Sequence, residues 1–192
     1  MRKRCQVFLI VLFLGLLFSP AIALSKGDGV EKIKILIELH ELKTPNDIEK
    51  TNARRSAELI NGLVLEPGDI FSFNETVGEI TKDRGFTYGY MLGVDLNGNK
   101  KMYFNGGSGV WRTSTAIFQA VSDANFEIVE RHIIYFPEHY TMACNSAMVK
   151  RNNGLDLKFK NNNDYSIKIE SFIDENALIS VKIYELLPPE KK

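Results

Sequence analysis

Residues 165–186, YSIKIESFIDENALISVKIYEL, decide the fold class of this chain. The segments YSIKIESFI and ALISVKIYEL both alternate apolar with polar side chains, which is the period of a half-buried strand. The residues DEN at 174–176 lie between them and favour a tight connection. The C-terminal part of the chain is therefore predicted to form an antiparallel strand pair with one face against a core.

Further strands are predicted upstream of this pair. A hairpin is expected over 84–107, because Asn97-Gly98 is a strong turn signal between two strand-like flanks. Other segments either alternate or are short and apolar between turn residues. They are VEKIKILIELHEL (30–42), LVL (63–65), IFSFN (70–74) and LDLKFKN (155–161).

Two segments have helical features. The stretch 44–69 contains apolar residues at broadly helical spacing, with acidic residues near its start. The stretch 113–125 has an apolar face, and Ser108 or Thr113 is the expected cap at its start.

The first 23 residues have the organisation of a secretory signal peptide. A basic start, MRKRC, precedes the apolar run QVFLIVLFLGLLF, and Ala21-Ile22-Ala23 provides a small-x-small cleavage site. An uncleaved N-terminal membrane anchor is the alternative reading. The protein is therefore expected to be secreted or held at the extracellular face of the cell membrane.

The predicted organisation follows from these elements. After the signal peptide at 1–23, residues 24–49 supply an N-terminal strand and the start of the first helix. Residues 50–187 form one domain, and 188–192 are a disordered tail. The predicted fold class is α+β, with two main helices packed on a mostly antiparallel β-sheet.

The composition of the chain argues against several classes of function. Lys+Arg and Asp+Glu number 24 each, so the chain lacks the basic excess typical of nucleic-acid binders. Cleavage of the signal peptide removes Cys5 and leaves Cys144 alone, so no internal disulfide is expected. Three histidines without a metal-binding motif predict neither a metal nor another cofactor.

The stretch FNGGSGVWRTSTAIFQAV (104–121) is the main candidate for a functional site. Its glycines allow backbone N–H groups to converge near a helix N-terminus, a place that favours an anion or a thiolate. Arg112 adds positive charge. The competing interpretation is a purely structural tight turn.

A second candidate is a cysteine nucleophile outside this loop. Cys144 lies near His139 and His132 in the sequence, and a Cys-His pair is a known nucleophilic arrangement. A lone cysteine is, however, more often a small buried apolar residue. Glu130-Arg131 is either a buried pair that orients a loop or a solvated charged edge.

Four motifs together resemble the VanW family of bacterial envelope proteins, over about residues 50–185. The order and spacing of these motifs carry the resemblance. They are NARRSAELINGLVLEPGDIFSFNETVGEITKDRGF (52–86), GGSGVWRTSTAIFQA (106–120), IVER (128–131) and DLKFKN (156–161).

The resemblance implies a link to cell-wall biology and glycopeptide resistance. Catalytic members are similar to peptidoglycan L,D-transpeptidases that use a cysteine thiolate in a G-G-G-[IV]-C-Q loop, with a histidine after the ER and an aspartate before A-x-V. At these four positions this chain has Trp111, Arg112 in place of the glutamine, Ile134 and Ser146, while Cys144 stands where the family usually has glycine. Indole is not a nucleophile, and isoleucine transfers no proton.

The expected function is therefore a non-catalytic relative of L,D-transpeptidases that binds peptidoglycan or its stem peptides, or assists wall synthesis or the glycopeptide response. Trp111 is either an aromatic platform for a ligand or, as the favoured interpretation, a core plug. A thiol transpeptidase using Cys144, and a structural envelope protein that dimerises through it, are the alternatives. The candidate ligand-binding residues are Gly107, Ser108, Gly109, Trp111, Arg112 and Arg131, and the alternative nucleophile set is Cys144, His139 and His132.

Overall fold

The computed structural model describes residues 33–41, 47–94, 99–133, 145–176 and 178–186. These residues form an α+β domain of nine strands and three α-helices. The strands are β1 (Ile33–Glu41), β2 (Leu63–Leu65), β3 (Ile70–Ser72), β4 (Tyr88–Val94), β5 (Lys100–Gly106), β6 (Glu127–Glu130), β7 (Lys158–Lys160), β8 (Ser166–Ile173) and β9 (Ile179–Leu186). The helices are α1 (Asp47–Ile60), α2 (Phe73–Val77) and α3 (Val110–Asp123).

The strand pair predicted from residues 165–186 forms the centre of the main sheet. Strands β8 and β9 pair antiparallel from Ser166 opposite Leu186 to Ile173 opposite Ile179. Strand β1 pairs with the other edge of β9, and β2 pairs with β8, so the order is β1-β9-β8-β2. The N-terminal strand thus belongs to the same sheet as the C-terminal strands.

Two smaller antiparallel units complete the strands. Strand β7 lies between β3 and β6, and β4 pairs with β5 as the predicted hairpin. The Asn97-Gly98 turn itself lies outside the described residues. All three units are antiparallel, as the sequence predicts.

Helices α1 and α3 contact each other, and each lies against the main sheet. Their buried faces consist mainly of small and aliphatic residues, with Glu49, Asn52 and Phe118 as the larger or polar exceptions. Phe71 of β3 and Phe159 of β7 are paired across the sheet formed by β3, β7 and β6. Their rings stack with centroids 4.9 Å apart. The largest fully buried side chains are Phe71, Phe73, Phe159, Ile60, Ile117, Leu157, Ile167, Ile169, Ile179, Ile183, Val77 and Val121.

The predicted strand over 70–74 is wrong after Ser72. The Ser72 hydroxyl accepts a hydrogen bond from the backbone N–H of Glu75, and it donates to the buried Asp156 carboxylate at 2.6 Å. That carboxylate also accepts from the backbone N–H of Asn74. Together these contacts satisfy the first N–H groups of a helix and convert the end of the strand into α2.

Helix α3 begins at Val110, three residues before the predicted start. The predicted cap by Ser108 or Thr113 is wrong, because the N-cap residue is Gly109, in the left-handed conformation and without a side-chain cap. The Thr113 hydroxyl instead donates to the Ala53 carbonyl of α1. Trp111 therefore lies in the first turn of α3.

Among the residues that the structure describes, none of the helices has the length and apolar character needed to cross a membrane.

Candidate functional site

The Gly-rich loop is pressed against the start of α1. Gly109 has φ = +97°, and a Cβ atom there would overlap the backbone of Glu49. Gly107 has φ = +108° and would bring a Cβ within 3.3 Å of Ile80. At both positions the backbone requires glycine. The loop glycines therefore serve close packing of loop on helix.

Asn52 of α1 fixes the position of this loop. Its side chain is fully buried, and its amide nitrogen donates to the carbonyls of Thr87 and Ser108 at 2.9 and 2.8 Å. Its amide oxygen accepts from the Thr87 N–H at 2.7 Å. A single side chain therefore joins α1, the segment before β4 and the Gly-rich loop.

A carboxylate of the chain itself lies beside the first turn of α3. The Nε of Arg112 donates to Glu49 Oε2 at 2.6 Å, and the Ser108 hydroxyl lies 3.4 Å from Glu49 Oε1. The Glu49 and Arg112 side chains are 12% and 13% exposed, so water screens this ion pair little. The N-terminus of α3 favours a nearby anion, and the Glu49 carboxylate of the protein itself supplies that anion.

Trp111 is partly exposed and does not belong to the buried core. Trp111 is therefore not a fully buried plug, and its role as a plug or as a ligand platform stays a prediction. The Arg112 guanidinium lies 4.6 Å from the centre of the indole ring, within cation–π distance.

The segment that aligns with the family's aspartate lies against the same helix. The hydroxyl of Ser114 donates to the carbonyls of Ala147, at 2.6 Å, and of Trp111, at 2.9 Å. The Ala147 N–H donates to the Thr115 hydroxyl at 3.0 Å. Ser146 is buried next to this contact. Ser114 thus links two of the four positions that the resemblance relates to chemistry, because it bonds to the Trp111 carbonyl and to that of Ala147, next to Ser146.

Arg131 is also held against α3, further along the helix. Its Nε donates to the Ser146 carbonyl at 2.8 Å, and its guanidinium lies 4.0 Å from the ring centre of Phe118. Phe118 is seven residues after Trp111, about 10 Å along the helix. Arg131 therefore belongs to the same helix surface as the candidate site, but further along it.

His132 belongs to a separate charged cluster. Its Nε2 lies 2.8 Å from Glu130 Oε1, and the Lys158 ammonium lies 2.8 Å from Glu130 Oε2. Two hydrogen bonds lower the pKa of the Glu130 carboxyl to about 2, and the bond from Lys158 has a larger effect than the bond with His132. The same contact with Glu130 raises the pKa of Lys158. Glu130 is thus the centre of an ionic network and not simply a solvated edge.

The cluster lies on the opposite side of the chain from Arg131. Neighbouring residues of an extended backbone point to opposite faces, and the contacts of Arg131 and His132 follow that rule. His132 therefore faces away from the start of α3. Cys144, His139 and Ile134 lie outside the described residues.

The sequence indicated Gly107, Ser108, Gly109, Trp111 and Arg112, which the structure brings together in one loop and one helical turn. The sequence did not indicate Glu49 as a site residue. It marked Glu49 only as an acidic residue near the start of a predicted helix. In the described ranges no group of three His, Cys, Asp or Glu side chains is arranged to hold a metal ion. The arrangement offers an aromatic surface beside an internally neutralised ion pair.

A family model described as VanW like protein matches residues 49–184. The chain is 26% identical over 132 residues to the vancomycin B-type resistance protein VanW of Enterococcus faecalis, covering 67% of this chain and 46% of that protein. It is 28% identical over 126 residues to the uncharacterized protein YoaR of Bacillus subtilis, covering 66% of this chain and 40% of that protein.

The matched region is thus less than half the length of either relative. No solved structure matches the chain. The family match includes α1, the Gly-rich loop, α3, and strands β6, β7 and β8. These are the elements that build the candidate site, and by this match the chain belongs to the VanW family.

Proposed function

We propose that this protein is an extracytoplasmic VanW-like domain that binds peptidoglycan and does not catalyse its cross-linking. The observation that carries the proposal is Trp111, half-buried in the first turn of α3, at the position to which the resemblance assigns the family's loop cysteine. An indole replaces the nucleophile with a surface that binds through stacking and apolar contact.

The groups around Trp111 support binding rather than acyl transfer. The Ser114 hydroxyl bonds to backbone carbonyls, so it does not resemble a nucleophile activated by a base. His132 bonds to Glu130 on the far side of the chain. Proton transfer requires a group within hydrogen-bond reach of the reacting atoms, and Glu49, the carboxylate beside the first turn of α3, is already engaged by Arg112.

The setting of the protein supports the cell wall as the location of its ligand. The N-terminal 23 residues have the pattern of a signal peptide, which exports a chain from the cytoplasm. The name of the Enterococcus faecalis relative links that protein to vancomycin resistance. An accessory role in wall synthesis or in the response to glycopeptides is the corresponding proposal for this chain.

The absence of transpeptidase chemistry is tested by mass spectrometry of the full chain incubated with tetrapeptide-stem muropeptides. We expect neither an acyl-protein adduct nor a cross-linked muropeptide dimer, because the nucleophile position holds an indole. The variant Cys144→Ala is the control, since Cys144 is the alternative nucleophile.

A dimer or adduct that forms with the wild type and disappears in Cys144→Ala would contradict the proposal. It would establish instead that a cysteine outside the loop performs the chemistry. A product that persists in Cys144→Ala would equally contradict it, with a nucleophile other than that thiol.

A further inference from the structure

The ion pair next to Trp111 restricts what can bind there. We infer that the ligand contacts Trp111 through an uncharged sugar ring of the glycan chain, and not through a carboxylate of the stem peptide. This inference rests on the proposed function, since it names the part of peptidoglycan that the Trp111 surface takes.

The first step of the argument concerns Arg112. Taken alone, an arginine beside an aromatic ring is a natural site for a ligand carboxylate. Here the guanidinium already bonds to Glu49 Oε2 at 2.6 Å, and both side chains are almost nine-tenths buried. A ligand carboxylate that displaced Glu49 from Arg112 would leave the Glu49 carboxylate buried without its cation, and one that shared the guanidinium would place two like charges side by side.

The second step concerns Glu49 itself. The Ser108 hydroxyl lies 3.4 Å from its Oε1, and Gly109 packs directly on its backbone. Glu49 is therefore held at the start of α3 by the loop as well as by Arg112. The carboxylate cannot withdraw to admit a second anion without a movement of the Gly-rich loop.

The third step concerns the surface that remains. The charges of Glu49 and Arg112 cancel, so the contact region beside Trp111 has no net charge from this pair. The Arg112 guanidinium lies 4.6 Å from the centre of the half-buried indole ring, so a ligand would contact the part of the apolar ring surface that the guanidinium leaves exposed. A sugar ring presents a face of weakly positive C–H groups, which suits that surface, and its hydroxyls stay in water.

Trp111 is the single tryptophan of the chain, so its fluorescence reports binding at this position alone. The full chain is titrated with a β-1,4-linked N-acetylglucosamine tetrasaccharide and, separately, with the free stem tetrapeptide. We expect the tetrasaccharide to change the tryptophan emission with saturation, and the tetrapeptide to cause no saturable change. Calorimetry of the same titrations measures the two Kd values independently of fluorescence.

The variant Glu49→Gln tests the charge argument. Gln retains the shape of the side chain and removes the charge that neutralises Arg112. We expect Glu49→Gln to bind the tetrapeptide at least about tenfold more tightly than the wild type does, which corresponds to one newly available charge-assisted contact. Glu58→Gln is the matched control, because Glu58 is an exposed glutamate on the outer face of the same helix and pairs with Arg55. It is expected to behave as the wild type.

The outcomes separate this inference from the proposed function. Saturable binding of the tetrasaccharide alone, with a gain of tetrapeptide binding in Glu49→Gln, supports both. Binding of the tetrapeptide but not of the tetrasaccharide by the wild type overturns the inference and leaves peptidoglycan binding in place. Binding of neither fragment overturns both, and an unchanged tetrapeptide affinity in Glu49→Gln overturns the charge argument.

Discussion

Gly109→Ala is expected to destabilise the domain by at least about 3 kcal/mol. The residue has φ = +97°, a conformation that costs a side chain about 1–2 kcal/mol. The new Cβ would also overlap the carbonyl and Cα of Glu49, which are backbone atoms and cannot rotate away. The loop and α1 would have to separate. The free energy of unfolding from denaturant titration measures this cost.

Gly154→Ala is the matched control for this substitution. Gly154 also has positive φ, at +68°, but no atom lies within 4 Å of the position of its Cβ. It is expected to lose only the conformational part, about 1 kcal/mol. Equal losses in the two variants would contradict the close contact between the Gly-rich loop and α1.

Asn52→Ala is expected to destabilise the domain by about 3 kcal/mol, because it removes three hydrogen bonds from a buried amide. The carbonyls of Thr87 and Ser108 and the N–H of Thr87 would lose their partner. Buried polar groups without a partner cost more than the net value of the bonds they made. Hydrogen exchange at residues 107–109 should accelerate as the loop is released, and denaturant unfolding measures the total loss.

Asn153→Ala is the control for Asn52→Ala. Asn153 is exposed, so its truncation is expected to change the free energy of unfolding by less than about 0.5 kcal/mol. If Asn52→Ala were as mild as Asn153→Ala, Asn52 would not be what holds the Gly-rich loop in place.

Much of the fold follows from period-two alternation. Strands β8 and β9 were predicted from the alternation in their sequences. Strand β8 buries alternate residues as that pattern predicts, whereas β9, between β1 and β8, is buried on both faces over much of its length. The hairpin of β4 and β5 followed from its turn signal and flanks. These features are local, so a short window of sequence contains the information they need.

The failures have a common physical cause, which is contact between residues far apart in sequence. The strand over 70–74 gives way to α2 because Asp156 supplies acceptors to Ser72 and Asn74. The start of α3 is set by the packing of Gly109 on Glu49. No window of local sequence contains either partner, so propensity alone placed both boundaries wrongly.

The resemblance and the glycines located the candidate site in the sequence. They did not predict the ion pair within it. Arg112 was expected to offer its charge to a ligand, and in the structure it bonds to Glu49. Glu49 stands 63 residues earlier in the chain, in a helix whose sequence gives no sign of that contact. Trp111 was favoured as buried because tryptophan usually is, and in the structure it is half-buried in the first turn of α3.

The motifs that carry the family resemblance bond to each other. Ser72 of the first motif bonds to Asp156 of DLKFKN, and the buried Asn161 that ends DLKFKN donates to the Leu65 carbonyl and bonds to the Pro67-Gly68-Asp69 turn. These contacts hold the scaffold and involve none of the four positions linked to chemistry. The contacts between the motifs therefore do not depend on the side chains at the four positions that the resemblance relates to chemistry.

The central claim is that Trp111 has replaced the catalytic cysteine as a binding surface for peptidoglycan. Co-sedimentation of the full chain with purified insoluble peptidoglycan tests it most directly, with Trp111→Ala and Trp111→Phe alongside and circular dichroism to compare their folding. We expect the wild type to sediment, Trp111→Ala to bind at least about tenfold more weakly while folded, as at an aromatic hot spot, and Trp111→Phe to recover part of the binding. A folded Trp111→Ala that binds as tightly as the wild type would contradict the claim.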